Sequence, residues 1–348
     1  MKILYVGPLW YGSTSLQRME AIQHFGHKTV PIDTEPEDVR KKQSRLICRV
    51  AKKIFGPKDF ANTNKRILET VEKESFDVIW IDKGTYILPS VLSHIKRTTR
   101  SLLVHYNTDD IMRKEHQLDN YFKAIDIYGV HFTTNNFNIP EMHELGAKRV
   151  YFSELACDDN MYRPVDVPEE DKRKLGSDIF FIGHWEPKTE KLIGYLTEHQ
   201  MPVTVRGPNW HKAKNIKLLS SVVKSGPIWG QDYVKSICCG KIGLGIVSKW
   251  NRNLTAGRIF EIPACGTFLL AERTPSIQSV YVEGKEAEFF SNSEELLEKA
   301  KYYLSHDKER QAIAKAGHER CITSRYSWKD RVREMLEKVE EILNGERN

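Results

Sequence analysis

Three cations and one carboxylate crowd a single short stretch of this chain. Residues 249–271 read KWNRNLTAGRIFEIPACGTFLLA, with Lys249, Arg252 and Arg258 on one side of the charge balance and Glu261 on the other. Cations can hold a phosphate, and a carboxylate can accept hydrogen bonds from hydroxyls, so the set suits a phosphate-bearing ligand with a sugar attached. A crossover between two strands with a solvated basic loop accounts for the same residues. The elements that would position them are legible on either reading. An apolar run at 242–247 predicts a buried strand, a short helix carries Glu261, and after a Cys-Gly break the run 267–271 predicts the next strand.

Other polar groups fall at predicted strand ends, where α/β proteins place ligand groups. Asp82, Lys83 and Gly84 follow the apolar run 76–81; His105, Asp109 and Asp110 end or follow the run 101–106. The adjacent pair Asp109–Asp110 is weak evidence for a metal. Near the start, Gly12, Ser13 and Thr14 sit between a strand at 2–7 and a helix at 16–25. Such a turn offers N–H groups to an anion or hydroxyl, or it is an ordinary strand-to-helix turn. It is not G-x-G-x-x-G, which counts against dinucleotide binding.

The remainder of the chain alternates strand and helix in two runs, which predicts an α/β fold of two parallel-sheet domains. Its 348 residues suffice for two cores, and 40% hydrophobic with 29% charged residues is a globular composition. Residues 156–177, rich in Asp, Glu, Pro and Lys, lack periodicity and predict a linker, its core at 161–177. The expected domains are therefore 1–160 and 178–326, with a last amphipathic helix at 327–348. A net charge of +6 permits an anionic ligand but does not call for nucleic acid. The basic segment beginning at Arg40 and ending at Phe55 is expected as part of an amphipathic helix over 38–55. Its apolar stripe packs on the protein, or its cations meet an anionic membrane. None of the six cysteines forms C-x-x-C or stands at zinc-ligand spacing to a histidine, and no apolar run approaches membrane-spanning length. A cytoplasmic protein, at most peripheral on a membrane, is the expectation.

The residues Asn251–Arg252 and the run RIFEIPACGTFLL at 258–270 resemble the nucleotide-sugar domain of GT-B glycosyltransferases, most closely the CgeB-like group. The motifs WIDKG at 80–84, YNTDD at 106–110 and GAKRV at 146–150 carry the resemblance into the first half. It implies two Rossmann-like domains facing across a cleft, the donor held by the second, and a C-terminal helix crossing back to the first. It implies sugar transfer from a nucleoside diphosphate sugar, UDP by family frequency, to a hydroxyl acceptor, with no metal and no cofactor beyond that co-substrate. Glu261 stands where the family binds the donor ribose, and Arg258, Arg252 and Lys249 are the diphosphate candidates. His184, Trp185 and Arg206, at two strand ends of the second domain, and Asn253 are candidates for sugar or base contacts; for the first three, core packing, a helix cap and a turn are the alternatives. The loop Gly12, Ser13 and Thr14 falls on the acceptor side. Many retaining members carry a glutamate eight positions before the one matched by Glu261, and here that position is Asn253. If the enzyme inverts, a base must come from the first domain, and Asp109, Asp110 and His105 are the candidates. A nucleotide-sugar epimerase on the same fold and a non-catalytic sugar-nucleotide-binding or coat-assembly protein are the competing expectations.

Overall fold

The computed structural model describes residues 1–45, 47–48, 56–114, 117–224, 226–249, 252 and 254–347. The chain divides into two compact units, Met1–Glu154 with Trp328–Asn348, and Leu155–Ser327. Each is a parallel sheet with helices between its strands.

In the first unit the chain runs β1 (Lys2–Gly7), α1 (Thr14–His24), β2 (Lys28–Asp33), α2 (Glu37–Ser44), α3 (Thr63–Lys73) and β3 (Val78–Asp82). It continues through α4 (Pro89–Thr98), β4 (Leu102–Asn107), α5 (Asp119–Phe122), β5 (Val130–Thr133), α6 (Asn138–Glu144) and β6 (Val150–Phe152). The sheet order is β2-β1-β3-β4-β5-β6. Strands β1, β3 and β4 are buried on both faces, which is why they read as continuous apolar runs rather than alternating ones. The strand order reverses at β1, so the ends of β1 and β3 form a switch point. The C-terminal helix Trp328–Arg347 belongs to this unit and packs on α1. Its stripe Val332, Met335, Leu336, Val339, Ile342 and Leu343 is buried, at the three- and four-residue spacing that keeps one helix face inward.

The second unit runs α7 (Glu169–Leu175), β7 (Ser177–Ile182), α8 (Pro187–Glu198), β8 (Val203–Arg206), α9 (Ile216–Leu219), α10 (Gly230–Cys238) and β9 (Gly240–Gly245). It continues through α11 (Arg258–Ala264), β10 (Phe268–Glu272), α12 (Pro275–Val280), β11 (Glu288–Phe290), α13 (Ser293–Ser305) and α14 (Asp307–Thr323). Its order, β11-β10-β9-β7-β8, puts the switch point between β7 and β9. Close approach of two loops fixes the edge. Gly207 has φ 146°, and a Cβ there would lie 2.0 Å from the Gly183 carbonyl oxygen, so no other residue fits. That carbonyl accepts from the buried Trp210 indole at 2.9 Å.

Two expectations need correction. Residues 161–177 are not a linker. Helix α7 starts after Pro168 with Glu169, Glu170 and Asp171 in its first turn and Lys172, Arg173 and Lys174 in its last, the polarity that suits a helix dipole. Leu175 is buried and Asp171 pairs with Lys235 of α10 at 2.7 Å, so the segment is built into the second unit. The amphipathic helix over 38–55 is not continuous either. Helix α2 ends at Ser44, Arg45 is extended, and Ile47, expected on the packed stripe, is 82% exposed. Leu46, Val50, Ile54 and Phe55 lie outside the described residues. Among the described residues no helix is long and apolar enough to cross a membrane.

Candidate functional site

The ends of β7 and β9 lie side by side, and Arg258 fills the space just beyond them. It is the first residue of α11. Its Nη2 donates to the Ile246 carbonyl at 3.2 Å, and its guanidinium carbon lies 4.9 Å from the centre of the Phe181 ring. A Cβ on Gly183 would stand 3.1 Å from Nη1. The arginine thus lies across the mouth of the switch-point crevice, partly exposed, and its Nε has no hydrogen-bond partner among the described residues. A guanidinium so placed can meet an anionic ligand group with donors to spare.

Glu261 lies one turn further along α11. Its Oε2 accepts a short hydrogen bond from the Tyr233 hydroxyl of α10. Burial pushes the Glu261 carboxyl above the usual carboxylate range, opposed by Tyr233, by the Arg258 charge and by Tyr162. Burial likewise pushes the Tyr233 phenol well up, so it stays a donor at neutral pH.

A second carboxylate orders the other wall. Glu186, buried at the start of α8, accepts from His184 Nε2 at 2.9 Å and from the Lys249 main-chain N–H at 3.0 Å. Burial acts to raise its pKa, yet His184, the Ser248 hydroxyl and the Lys249 N–H outweigh it and hold the carboxyl below the usual range. Beside it, Lys188 donates to the Val247 carbonyl at 2.9 Å and to Glu272 Oε2, which also accepts from the Val247 N–H at 3.1 Å. These bonds pin the chain as it leaves β9 towards the basic loop. Residues 250, 251 and 253 of that loop, Asn253 included, lie outside the described residues. Arg252 is half-buried.

Several candidates are placed elsewhere by the fold. Trp185 is half-buried, packs against the core of the second unit and donates its indole N–H to Glu190 at 2.7 Å. Arg206 donates to the carbonyl of Lys174 at the end of α7 at 2.9 Å, which makes it a helix-end partner. In the first unit His105 is 1% exposed, stacked 4.2 Å from Tyr121 and edge-on to His131 at 5.6 Å. Burial lowers its pKa to about 3, so it is neither accessible nor basic enough to take a proton from an acceptor. Asp110 is fully buried; its Oδ1 accepts from the Met112 N–H at 3.3 Å and from Asn138 Nδ2 at 2.8 Å, tying the turn after β4 to α6. Asp109 alone of the three remains partly exposed, 3.2 Å from Lys83 Nζ. Ser13 caps α1, accepting from the Leu16 N–H at 3.2 Å and donating to the Pro8 carbonyl at 2.7 Å. A shallow hollow lies at the ends of β1 and β3, lined by Pro8, Thr34, Glu35, Lys83 and Tyr86 among others; Gly12, Ser13 and Thr14 do not line it. Asp82, also at this edge, is committed to an internal ion pair with Arg18 at 2.8 Å.

Tyr233, Tyr162 and the Lys188–Glu272 pair are not apparent from the sequence. Glu186 has a local signal, standing directly after His184 and Trp185 at a strand end, but the sequence assigns it no role. Tyr233 has no such signal: it lies 28 residues from Glu261, on a helix whose register only the fold sets. Among the described residues no group of three or more His, Cys, Asp or Glu side chains is placed to hold a metal ion.

Residues 188–337 match the family model described as glycosyl transferase-like, a span that contains both Arg258 and Glu261. The span takes in the second unit from α8 onward and the first part of the C-terminal helix. No curated protein sequence matches the chain. Solved structures of GT-B glycosyltransferases are similar in fold over nearly the full length of the chain. A glycosyltransferase from Rickettsia africae superposes with a TM-score of 0.66 at 15% identity, covering 98% of each chain. Anabaena HepE in complex with UDP-glucose gives 0.66 at 13% identity, over 98% of this chain and 100% of that one. Sucrose-phosphate synthase from Thermosynechococcus elongatus gives 0.65 at 11% identity, over 99% and 100%. At these identities the likeness is one of fold: two parallel-sheet α/β units of the GT-B type.

Proposed function

We propose that this protein moves a sugar from a nucleoside diphosphate sugar, a UDP-sugar foremost, to a hydroxyl of an acceptor. The observation that carries the reading is the pair Arg258 and Glu261 on α11 at the switch point of the second sheet. Arg258 presents a cation where the diphosphate would lie. Its attraction strengthens as charge builds on the leaving phosphate, which lowers the barrier rather than only tightening binding. Glu261 accepts from the ribose hydroxyls and so fixes the nucleotide relative to Arg258. The family match over 188–337 and the UDP-glucose complex of the Anabaena neighbour support this choice of donor.

On the acceptor side, Asp109 is the candidate base that keeps partial exposure, with the Lys83 cation 3.2 Å away. The motif at 251–270 supports placement in the CgeB-like group. The proposal needs no cofactor besides the donor, and the six free thiols are consistent with the cytoplasm.

The test is to incubate the protein with UDP-glucose, UDP-galactose and UDP-N-acetylglucosamine, with and without sugar acceptors, and to follow UDP release. Acceptor-dependent release that Glu261→Ala abolishes is the expected result. Failure of every nucleotide sugar to bind would sink the proposal. Epimerised donor formed without acceptor would move the protein to the epimerase reading instead.

A further inference from the structure

The hydrogen bond between Tyr233 and Glu261 divides the two oxygens of one carboxylate between two tasks. Oε2 is taken by the Tyr233 phenol. Oε1 faces Gly257, where a Cβ would lie 3.3 Å away, and the bare glycine leaves that side uncrowded. We infer that Tyr233 is a positioning residue for nucleotide recognition, holding Glu261 so that Oε1 is presented over Gly257 to the ribose hydroxyls. The inference rests on the donor reading proposed above and adds to it the residue that sets the discrimination for ribose.

The physics favours a fixed carboxylate. A free glutamate loses side-chain rotamer freedom when it binds a diol, whereas one already held by a buried phenol does not. Tyr233 is itself held, edge-on to Tyr162 with ring centroids 5.9 Å apart. The groups that face Glu261 are Tyr233 from α10, Tyr162 from the segment ahead of α7, Arg258 from its own helix, and the buried thiols of Cys157 and Cys265. Of these Arg258 and the two phenols favour the ionised carboxylate. Removing the Tyr233 donor therefore lets burial push Glu261 further towards its protonated form, which accepts less well.

The experiment compares binding of UDP with that of 2′,3′-dideoxy-UDP, which lacks both ribose hydroxyls, to the full chain and to Tyr233→Phe. Wild type is expected to prefer UDP. In the variant that preference falls roughly tenfold, the size of one hydrogen bond to a charged group, while the dideoxy nucleotide binds as before. The pH at which the preference is half lost also moves upward. Gly257→Ala, with Tyr233 intact, reduces the preference through crowding of Oε1 and supplies a second variant should the first fold poorly. Equal weakening of both nucleotides in Tyr233→Phe marks a purely structural tyrosine and overturns the inference, as does a preference and pH midpoint left unchanged. A wild-type protein that binds both nucleotides equally overturns the reading of Glu261 itself, and this inference with it.

Discussion

Each unit places an arginine and a carboxylate near the C-terminal ends of its strands, and the two pairs have opposite characters. In the first unit Arg18 meets Asp82 through two bonds, at 2.8 and 3.0 Å, and Tyr5 donates to the same carboxylate at 2.8 Å. Arg18 is 1% exposed, with its guanidinium carbon 4.1 Å from the Tyr106 ring and 4.6 Å from Trp328, the first residue of the C-terminal helix. Every strong interaction here is internal, and the result locks the C-terminal helix and α1 onto the sheet. In the second unit Arg258 and Glu261 are not paired with each other. The arginine leans on a carbonyl and a ring face, and the glutamate on the Tyr233 phenol. Charges buried and paired with each other hold a fold together; partly exposed charges set at a switch point are the ones a ligand can reach.

The contrast is sharpest in stability. Removing one member of the buried pair by Asp82→Ala should cost about 3–5 kcal/mol, since it strands a buried guanidinium. Glu261→Ala should stay within about 1 kcal/mol, because it removes a half-buried group whose ionisation burial already disfavours. Chemical denaturation of the two variants side by side decides this, and equal losses would erase the distinction drawn between the pairs.

The first unit should also be the acid-sensitive one. Burial holds His105 and His131 at pKa values of about 3 against an ordinary 6.5, His131 being bonded to Tyr121 and to the Ile125 carbonyl. Their neutral forms stabilise the fold fully above pH 6.5. That stability is lost as pH falls from 6.5 towards 3, each ring giving up at most about 1.4 kcal/mol for every pH unit crossed. His105→Phe should flatten the unfolding profile across this window. Glu261 contributes with the opposite sign: its raised folded pKa favours the fold at low pH and costs stability as pH rises through that value.

Affinity effects should appear in the second unit. Glu261→Ala is expected to weaken UDP binding about tenfold to a hundredfold, and Arg258→Ala by a similar factor, as hydrogen bonds to charged groups do. The two should separate with the ligand used: uridine, which keeps the ribose and lacks phosphate, should feel Glu261→Ala and not Arg258→Ala. Calorimetric titration of both ligands checks this. The smallest effect is expected for Trp185→Phe, which trims a ring packed on the core and should leave nucleotide affinity within a factor of about two.

Much of the fold was legible because continuous apolar runs such as those of β3, β4 and β10 are the mark of doubly covered parallel strands. The short helices at Glu169–Leu175, Asn138–Glu144 and Pro275–Val280 were not legible, for a helix of two turns shows too few repeats to establish a period. Of the candidate site, Arg258 and Glu261 stand out in the sequence as charges beyond a strand end, and the roles proposed for them come from the family resemblance. The misplacements share a cause. His105 and Asp110 were assigned by their position at a strand end, and position along the chain does not say whether a side chain points out of the sheet edge or into the layer beneath it.

The sequence by itself determined that there would be two parallel α/β units and that residues 249–271 would carry cations and a carboxylate at a strand end, because hydrophobic period and charge type are local properties. Tertiary structure alone decided which charges were already satisfied. Asp82 found Arg18 across 64 residues, and Glu261 found Tyr233 across 28. Whether a polar group is free to bind depends on what desolvates it and what donates to it, and those neighbours are fixed only when distant segments pack.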